Sequence, residues 1–140
     1  MRFLLIVAFV SFAFTIQIHA APSAEAAVQA QVDAYNARNI DAFLATYSDD
    51  AQLFEFPDKL IARGSAQLRE RYAARFKEEG LHADIVKRIV LGNTVVDHEQ
   101  VRRMFPEGPG ILEAIAIYEV DNGKITKAWL KVGEKKLDGK

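Results

Sequence analysis

Cysteine is absent from the 140 residues, which excludes disulfides, thiol nucleophiles and thiolate metal sites together. Histidine is almost as scarce: there are three, and His19 lies in the N-terminal apolar region. That leaves too few nitrogen ligands, with no ligand spacing, for a metal to be expected. A charge excess of either sign is lacking too. The 18 basic and 19 acidic residues create no global field to hold nucleic acid or a membrane surface. No G-x-S-x-G, phosphate loop or dinucleotide glycine pattern occurs, and neither does an internal repeat, a linker or a low-complexity stretch. What is there is half hydrophobic and about one quarter charged, the composition of a globular chain with room for one domain and one core.

The one long apolar run is at the start. Met1-Arg2 precedes a nearly unbroken apolar stretch from Phe3 to Ile16, followed by Gln17, Ile18, His19, Ala20 and Ala21. A positive charge, an apolar segment and small residues at its end make the pattern of a secretory signal peptide over residues 1–20, cleaved after Ala20 or Ala21. The departure is at the −3 position, where Ile18 or His19 replaces a small residue. The run is too short to span a bilayer comfortably, so no stable membrane insertion is expected after processing. The expected address is the periplasm or the extracellular space, and residues 21–140 form the mature domain, with a net charge of about −2.

Periodicity then divides the domain. Pro22 to Asn36 reads as a helix with Val28, Val32 and Tyr35 on one stripe. Ile40, Phe43, Leu44 and Tyr47, at i, i+3, i+4 and i+7, predict a second helix to about Ser48. Ala51–Phe56 and Lys59–Arg63 read as short strands around Pro57-Asp58. A third helix opens at Gly64-Ser65, with Ser65 as N-cap, buries Leu68, Tyr72 and Phe76, keeps Arg69, Arg71, Arg75 and Lys77 on a wet face, and stops at Gly80. His82–Leu91, Thr94–Phe105, Ile111–Val120 and Lys124–Val132 are strands, the last two joined by Asn122-Gly123, a two-residue hairpin signal. Gly133 to Lys140 reads as a frayed tail. Helices first and hairpins later predict an α+β fold, a curved antiparallel sheet whose concave face is covered by three helices.

Several of these residues also form a pattern. Tyr35-Asn36 closes the first helix and is followed by Asn39-x-Asp41-x-Phe43. Tyr47-Ser-Asp-Asp-Ala51 leads into a strand that ends at Pro57. Gly64, the Leu68…Tyr72…Phe76 helix, Asp121-Asn-Gly-Lys-Ile125 and Trp129 complete it. Over about Ala26 to Glu134 the chain resembles the ketosteroid isomerase and SnoaL-like cyclase group of the nuclear-transport-factor-two-like superfamily. The resemblance implies a cone-shaped fold with one apolar pocket. It leaves the function open, because this fold hosts isomerases, cyclases, hydrolases, dehydratases and ligand carriers.

The resemblance places a proton-shuttling carboxylate at Glu55, walled by Phe54 and Phe56, where desolvation would raise its pKa toward working pH. Strand alternation alone also allows Glu55 to face water while both phenylalanines face the core. The oxyanion donors of the isomerases fall at Gln31 and near Ala116, so both are changed. Gln31 could still donate a hydrogen bond, and Tyr35 or Tyr118 could take over. On the strand at 94–105, alternation separates Asp97, Glu99 and Arg103 from His98, Gln100, Arg102 and Met104, and either set could face the pocket. His98 is the acid–base candidate by intrinsic pKa. Gln31, Tyr35, Tyr47, Phe54, Tyr118 and Leu130 are the expected ligand-binding residues.

Three functions fit. The first is cofactor-free acid–base catalysis, of isomerase, cyclase or hydrolase type, on a hydrophobic small molecule, using Glu55 and His98. The second is ligand binding without turnover. The third is an interaction domain. Trp129, on the strand face opposite Ala128, Leu130 and Val132, suggests burial against a second subunit and hence a homodimer.

Overall fold

The computed structural model describes residues 19–139; residues 1–18, nearly all of the expected leader, lie outside the described residues. Helix α1 (Ala24–Asn36) begins where Ser23 Oγ accepts from the Ala26 amide, one of the amides that a helix start leaves without an internal partner. Its buried stripe is Val28, Gln31, Val32 and Tyr35. Asn39 caps α2 (Ile40–Ala45) by accepting from the Ala42 amide.

The second helix ends three residues earlier than its periodicity predicts. Thr46 Oγ1 donates to the Phe43 carbonyl at 2.7 Å, ending the ladder there, and Tyr47 already belongs to strand β1 (Tyr47–Glu55). It stays buried, because the strand's inward face continues the apolar stripe of the helix through Tyr47, Ala51 and Leu53. Strand β2 (Lys59–Arg63) turns back on β1, and α3 (Gly64–Ala73) follows. Ser65 is not its cap: Arg63 occupies that position, with its amide donating to Gln67 Oε1. Beyond α3 the chain tightens into a 3₁₀ turn at Arg75–Lys77. The remaining strands are β3 (His82–Leu91), β4 (Thr94–Phe105), β5 (Gly108–Asp121) and β6 (Lys124–Leu137).

The sheet has the order β2-β1-β6-β5-β4-β3. It is antiparallel except where β1 lies parallel to β6. The segment 133–137 is not frayed. It pairs with the start of β5, Gly110 opposite Leu137 and Ile111 opposite Lys136, and Lys135–Glu107 and Arg102–Asp138 ion pairs fasten it. Gly110 has no room for a β-carbon against the Lys136 carbonyl, so this close pairing requires glycine. At the β5–β6 turn, Asn122 and Gly123 both have positive φ, as a two-residue primed turn demands.

The three helices cover the inner face of this unclosed, curved sheet, so the α+β cone expected from the sequence is the fold observed. At the centre of the core Phe43 packs on Tyr72 and Phe76 with ring centroids 4.7 and 5.2 Å away, and Tyr35 meets Phe76 edge-on at 5.4 Å. Asn36 fixes α1 on the sheet. Its side-chain amide donates to the Ala83 carbonyl at 3.0 Å and its oxygen accepts from the Ala83 amide at 2.8 Å, copying a strand neighbour on the sheet-edge strand β3. Replacing Asn36 by alanine breaks both bonds and is expected to lower unfolding free energy by about 2 kcal/mol, measured by urea denaturation. An unchanged urea midpoint would mean that the clamp adds nothing.

Candidate active site

Strand alternation puts Val95, Asp97, Glu99, Val101 and Arg103 of β4 on the inner face. Two of the carboxylates along this face have a guanidinium of their own. Asp97 is 0 % exposed and lies opposite Arg88 in the β3–β4 register. Arg88 donates from Nε and Nη2 to the two Asp97 oxygens, each at 2.7 Å, and from Nη1 to Gln29 of α1 at 2.8 Å. Arg103 grips Glu78 in the same two-pronged way, at 2.7 and 2.6 Å, and the Met104 amide adds a third bond to that carboxylate. These bonds hold the Glu78 carboxyl below the usual range.

Glu99 lies between these pairs and has neither guanidinium. It is 9 % exposed. Its protein partner is the Tyr118 hydroxyl, which donates to Oε1 at 3.4 Å, long for an O–H···O bond. Burial pushes its carboxyl up from 4.5 to about 7. The negative charge of Asp97 adds to the rise, and the Tyr118 bond and the charge of Arg88 offset part of it.

Glu99 borders a cavity under α1. Gln31, Val32 and Tyr35 roof it, and Tyr72 and Arg75 close one side. The floor is Ala83, Val101, Arg103, Leu112, Ala114 and Tyr118, with Leu130 and Val132 at the rim. Small side chains make the space: Ala83 and Ala114 line it on the inner face where larger residues would fill it. A water-sized sphere has about 70 Å³ of positions for its centre inside, several times the roughly 10–15 Å³ that one water needs.

Two polar groups in this cavity are uncommitted. The hydroxyls of Tyr35 and Tyr72 have no hydrogen-bond partner among the described residues. Among the described residues no fully enclosed side-chain polar atom lacks one, so both hydroxyls open onto accessible space. Burial pushes both phenols up, so they remain protonated donors across the working pH range. Among the described residues no group of three or more His, Asp or Glu converges as a metal site would require.

Four of the residues expected from the sequence line the cavity: Gln31, Tyr35, Tyr118 and Leu130. Tyr47 is buried beside it and accepts from Gln31 Nε2 at 3.2 Å, but is not part of the wall. Phe54 is on the outer face, stacked on Trp129 with centroids 5.5 Å apart, because Leu53 and Ala51 take the inward positions of β1. Glu55 aligns with Leu130 across β1 and β6, but β1 ends there, and its side chain is 59 % exposed and 3.5 Å from Lys59. It lies outside the apolar walls. His98 faces outward and bonds Glu113 at 2.6 Å, away from the cavity. Glu99 and Arg75 went unselected. Arg75 reads as wet on a continuous helix, but the tightening into a 3₁₀ turn brings it over the Tyr72 ring, 5.6 Å from its centroid.

A family model described as a SnoaL-like domain matches residues 28–128. No match to a curated protein was found. Among solved structures, an uncharacterized cystatin-fold protein from Novosphingobium aromaticivorans superposes with a TM-score of 0.71 at 23% identity, over 79% of this chain and 98% of that one. An epoxide hydrolase of M. tuberculosis described as LEH-like gives 0.68 at 19%, over 79% and 82%. The epoxide hydrolase/cyclase-like enzyme SalBIII, described in pyran ring formation in the polyether salinomycin, gives 0.70 at 15%, over 79% and 90%. At these identities the likeness is one of fold.

The raised Glu99 carboxyl sets a pH dependence. The folded protein keeps a proton that the unfolded chain releases between pH 4.5 and about 7. The stability this group contributes is therefore present below pH 4.5 and lost as pH rises through 7. Relative to Glu99→Gln, the wild type is expected to lose on the order of 3 kcal/mol between pH 4.5 and 8. Urea unfolding of both proteins across that range measures it, and parallel stability curves would contradict the shift.

Proposed function

The chain belongs to the SnoaL-like family, and we propose that it is an exported acid–base enzyme acting on a small, largely apolar molecule held in the cavity beneath α1. The observation that carries this reading is Glu99, an inward carboxyl left without the guanidinium that Asp97 and Glu78 each have. With a pKa of about 7, it takes and returns a proton at comparable cost, which is what a general acid–base group needs. The Tyr35 and Tyr72 hydroxyls are the donors for an oxygen that gains negative charge. Removing a proton next to a carbonyl would give an isomerase. Activating a water or a substrate hydroxyl against a strained ring would give a hydrolase or cyclase. The structural likeness to an epoxide hydrolase and a ring-forming enzyme supports chemistry of the second kind. Every group in this scheme is a side chain of the protein, with no cofactor required.

Glu99→Gln tests the reading. With epoxide, lactone and cyclic ketone substrates, the variant is expected to lose about 10²–10⁴-fold in kcat/KM, and carbon-detected NMR should give a Glu99 midpoint near 7. Ligands that bind both proteins equally and are turned over by neither would favour a binding module. Export is supported by the charge, apolar run and small residues of positions 1–20. Mass spectrometry of the secreted protein should find an N-terminus at Ala21 or Pro22, and an intact Met1 would count against export.

A second reading concerns the outer sheet face. Strand registers align Leu60, Phe54, Trp129, Ile117, Val96 and Ile89 in one apolar row across all six strands. Leu60 and Ile89 are exposed. A row of this length supports self-association into a homodimer. Ile117→Asp is expected to convert a dimer to a monomer in sedimentation equilibrium. A wild type that is monomeric at micromolar concentration would rule the dimer out.

A further inference from the structure

The cavity carries opposite chemistry at its two ends. Glu99 and Arg103 face inward from the same strand four residues apart, about 13 Å at strand rise. Around Glu99 are Tyr118, Asp97 and Arg88. At the other end, Arg103 and Arg75 both line the wall. The two arginines differ. Arg103 commits Nε and Nη2 to Glu78. Arg75 lies half-buried over the Tyr72 ring and has no carboxylate within ion-pair distance among the described residues. Glu78 feels its charge but already has both oxygens taken by Arg103 and the Met104 amide. The charges of Arg75 and of Glu99 both act on the Tyr35 and Tyr72 hydroxyls, which places these hydroxyls between the two ends.

Between the two ends the wall is apolar: Val101, Leu112, Ala114 and Leu130. A half-buried guanidinium with no carboxylate partner among the described residues is a ready donor site for a planar anion. We infer that the molecule this cavity takes is a carboxylate with an apolar body, its anionic group held by Arg75 and its body extending past the Tyr35 and Tyr72 hydroxyls toward Glu99. This inference rests on the cavity being the ligand site and deepens that reading by naming the substrate class. The orientation leaves the carbon remote from the carboxylate beside Glu99, so the reacting atoms belong to the apolar end and the carboxylate serves for recognition.

The test uses the mature protein at pH 6, where Glu99 is mostly protonated and the probes are ionised. Hexanoate and octanoate are titrated against hexanamide and octanamide, followed by the methyl resonances of Val101, Leu112, Ala114 and Leu130. The carboxylates are expected to bind at least tenfold more tightly than the matched amides. Arg75→Gln should abolish that preference, Arg75→Lys should keep part of it, and Glu99→Gln should leave it in place. Equal affinity for acid and amide in the wild type, or a preference that survives Arg75→Gln, overturns the inference while leaving the acid–base role of Glu99 intact. If neither class moves those methyl resonances, the inference falls and the cavity loses its standing as the ligand site. A Glu99 midpoint near 4.5 instead of 7 would remove the acid–base reading alone.

Discussion

Two arginines are shared among three inward carboxylates, and the properties of the cavity follow from how they are shared. A buried carboxylate beside a guanidinium in a two-pronged bond is neutralised and fixed. Removing either partner leaves a charge stranded, at a cost of about 3–5 kcal/mol. Arg88 does this for Asp97 and Arg103 does it for Glu78. Arg88 also reaches Gln29, so the pair ties helix to sheet as well. Glu99 is left to burial, with the charge of Asp97 on its own strand face and only a long bond from Tyr118. Its proton affinity is thus set by its neighbours' commitments as much as by its own surroundings.

The same strand divides the molecule into two chemistries. Its inward residues meet small side chains on β5, Ala114 and Ala116, and the space those leave is bordered by tyrosine hydroxyls and Arg75. Its outward residue Val96 joins an apolar row that spans the sheet. A carboxylate on the inner side is desolvated, while the His98–Glu113 pair on the outer side keeps contact with water, His98 at 33 % exposure and Glu113 at 49 %. Acid–base potential is assigned here by the face of a strand and only secondarily by residue type.

This explains which features were legible in the sequence. The starts of α1 and α2, the Asn122-Gly123 turn, the four long strands and the cone were readable, because each has a local signature in caps, periodicity or turn residues. The signature residues from Tyr35 to Trp129 reinforced them. The phase of β4 was not readable, since apolar residues occupy both of its faces: Val95 and Val101 inward, Val96 outward. With the phase open, the intrinsic pKa of imidazole pointed to His98, while the family resemblance placed a carboxylate at Glu55 of β1. Arg75 was misplaced because nothing in a run of good helix formers marks where α3 tightens. Segment 133–137 was misread because its pairing depends on Gly110, more than twenty residues away.

Asn36 has a further consequence for the sheet. Strand β3 is an edge, and an edge offers free amides and carbonyls to any extended chain that meets it. At Ala83 both groups are already occupied by the Asn36 side chain. A single amide thus stands in for a neighbouring strand, and the end of α1 serves as a cover that keeps the near end of β3 from recruiting another chain. Next to an apolar outer face, this leaves the edge at Ala83 without a free amide or carbonyl to offer an incoming strand.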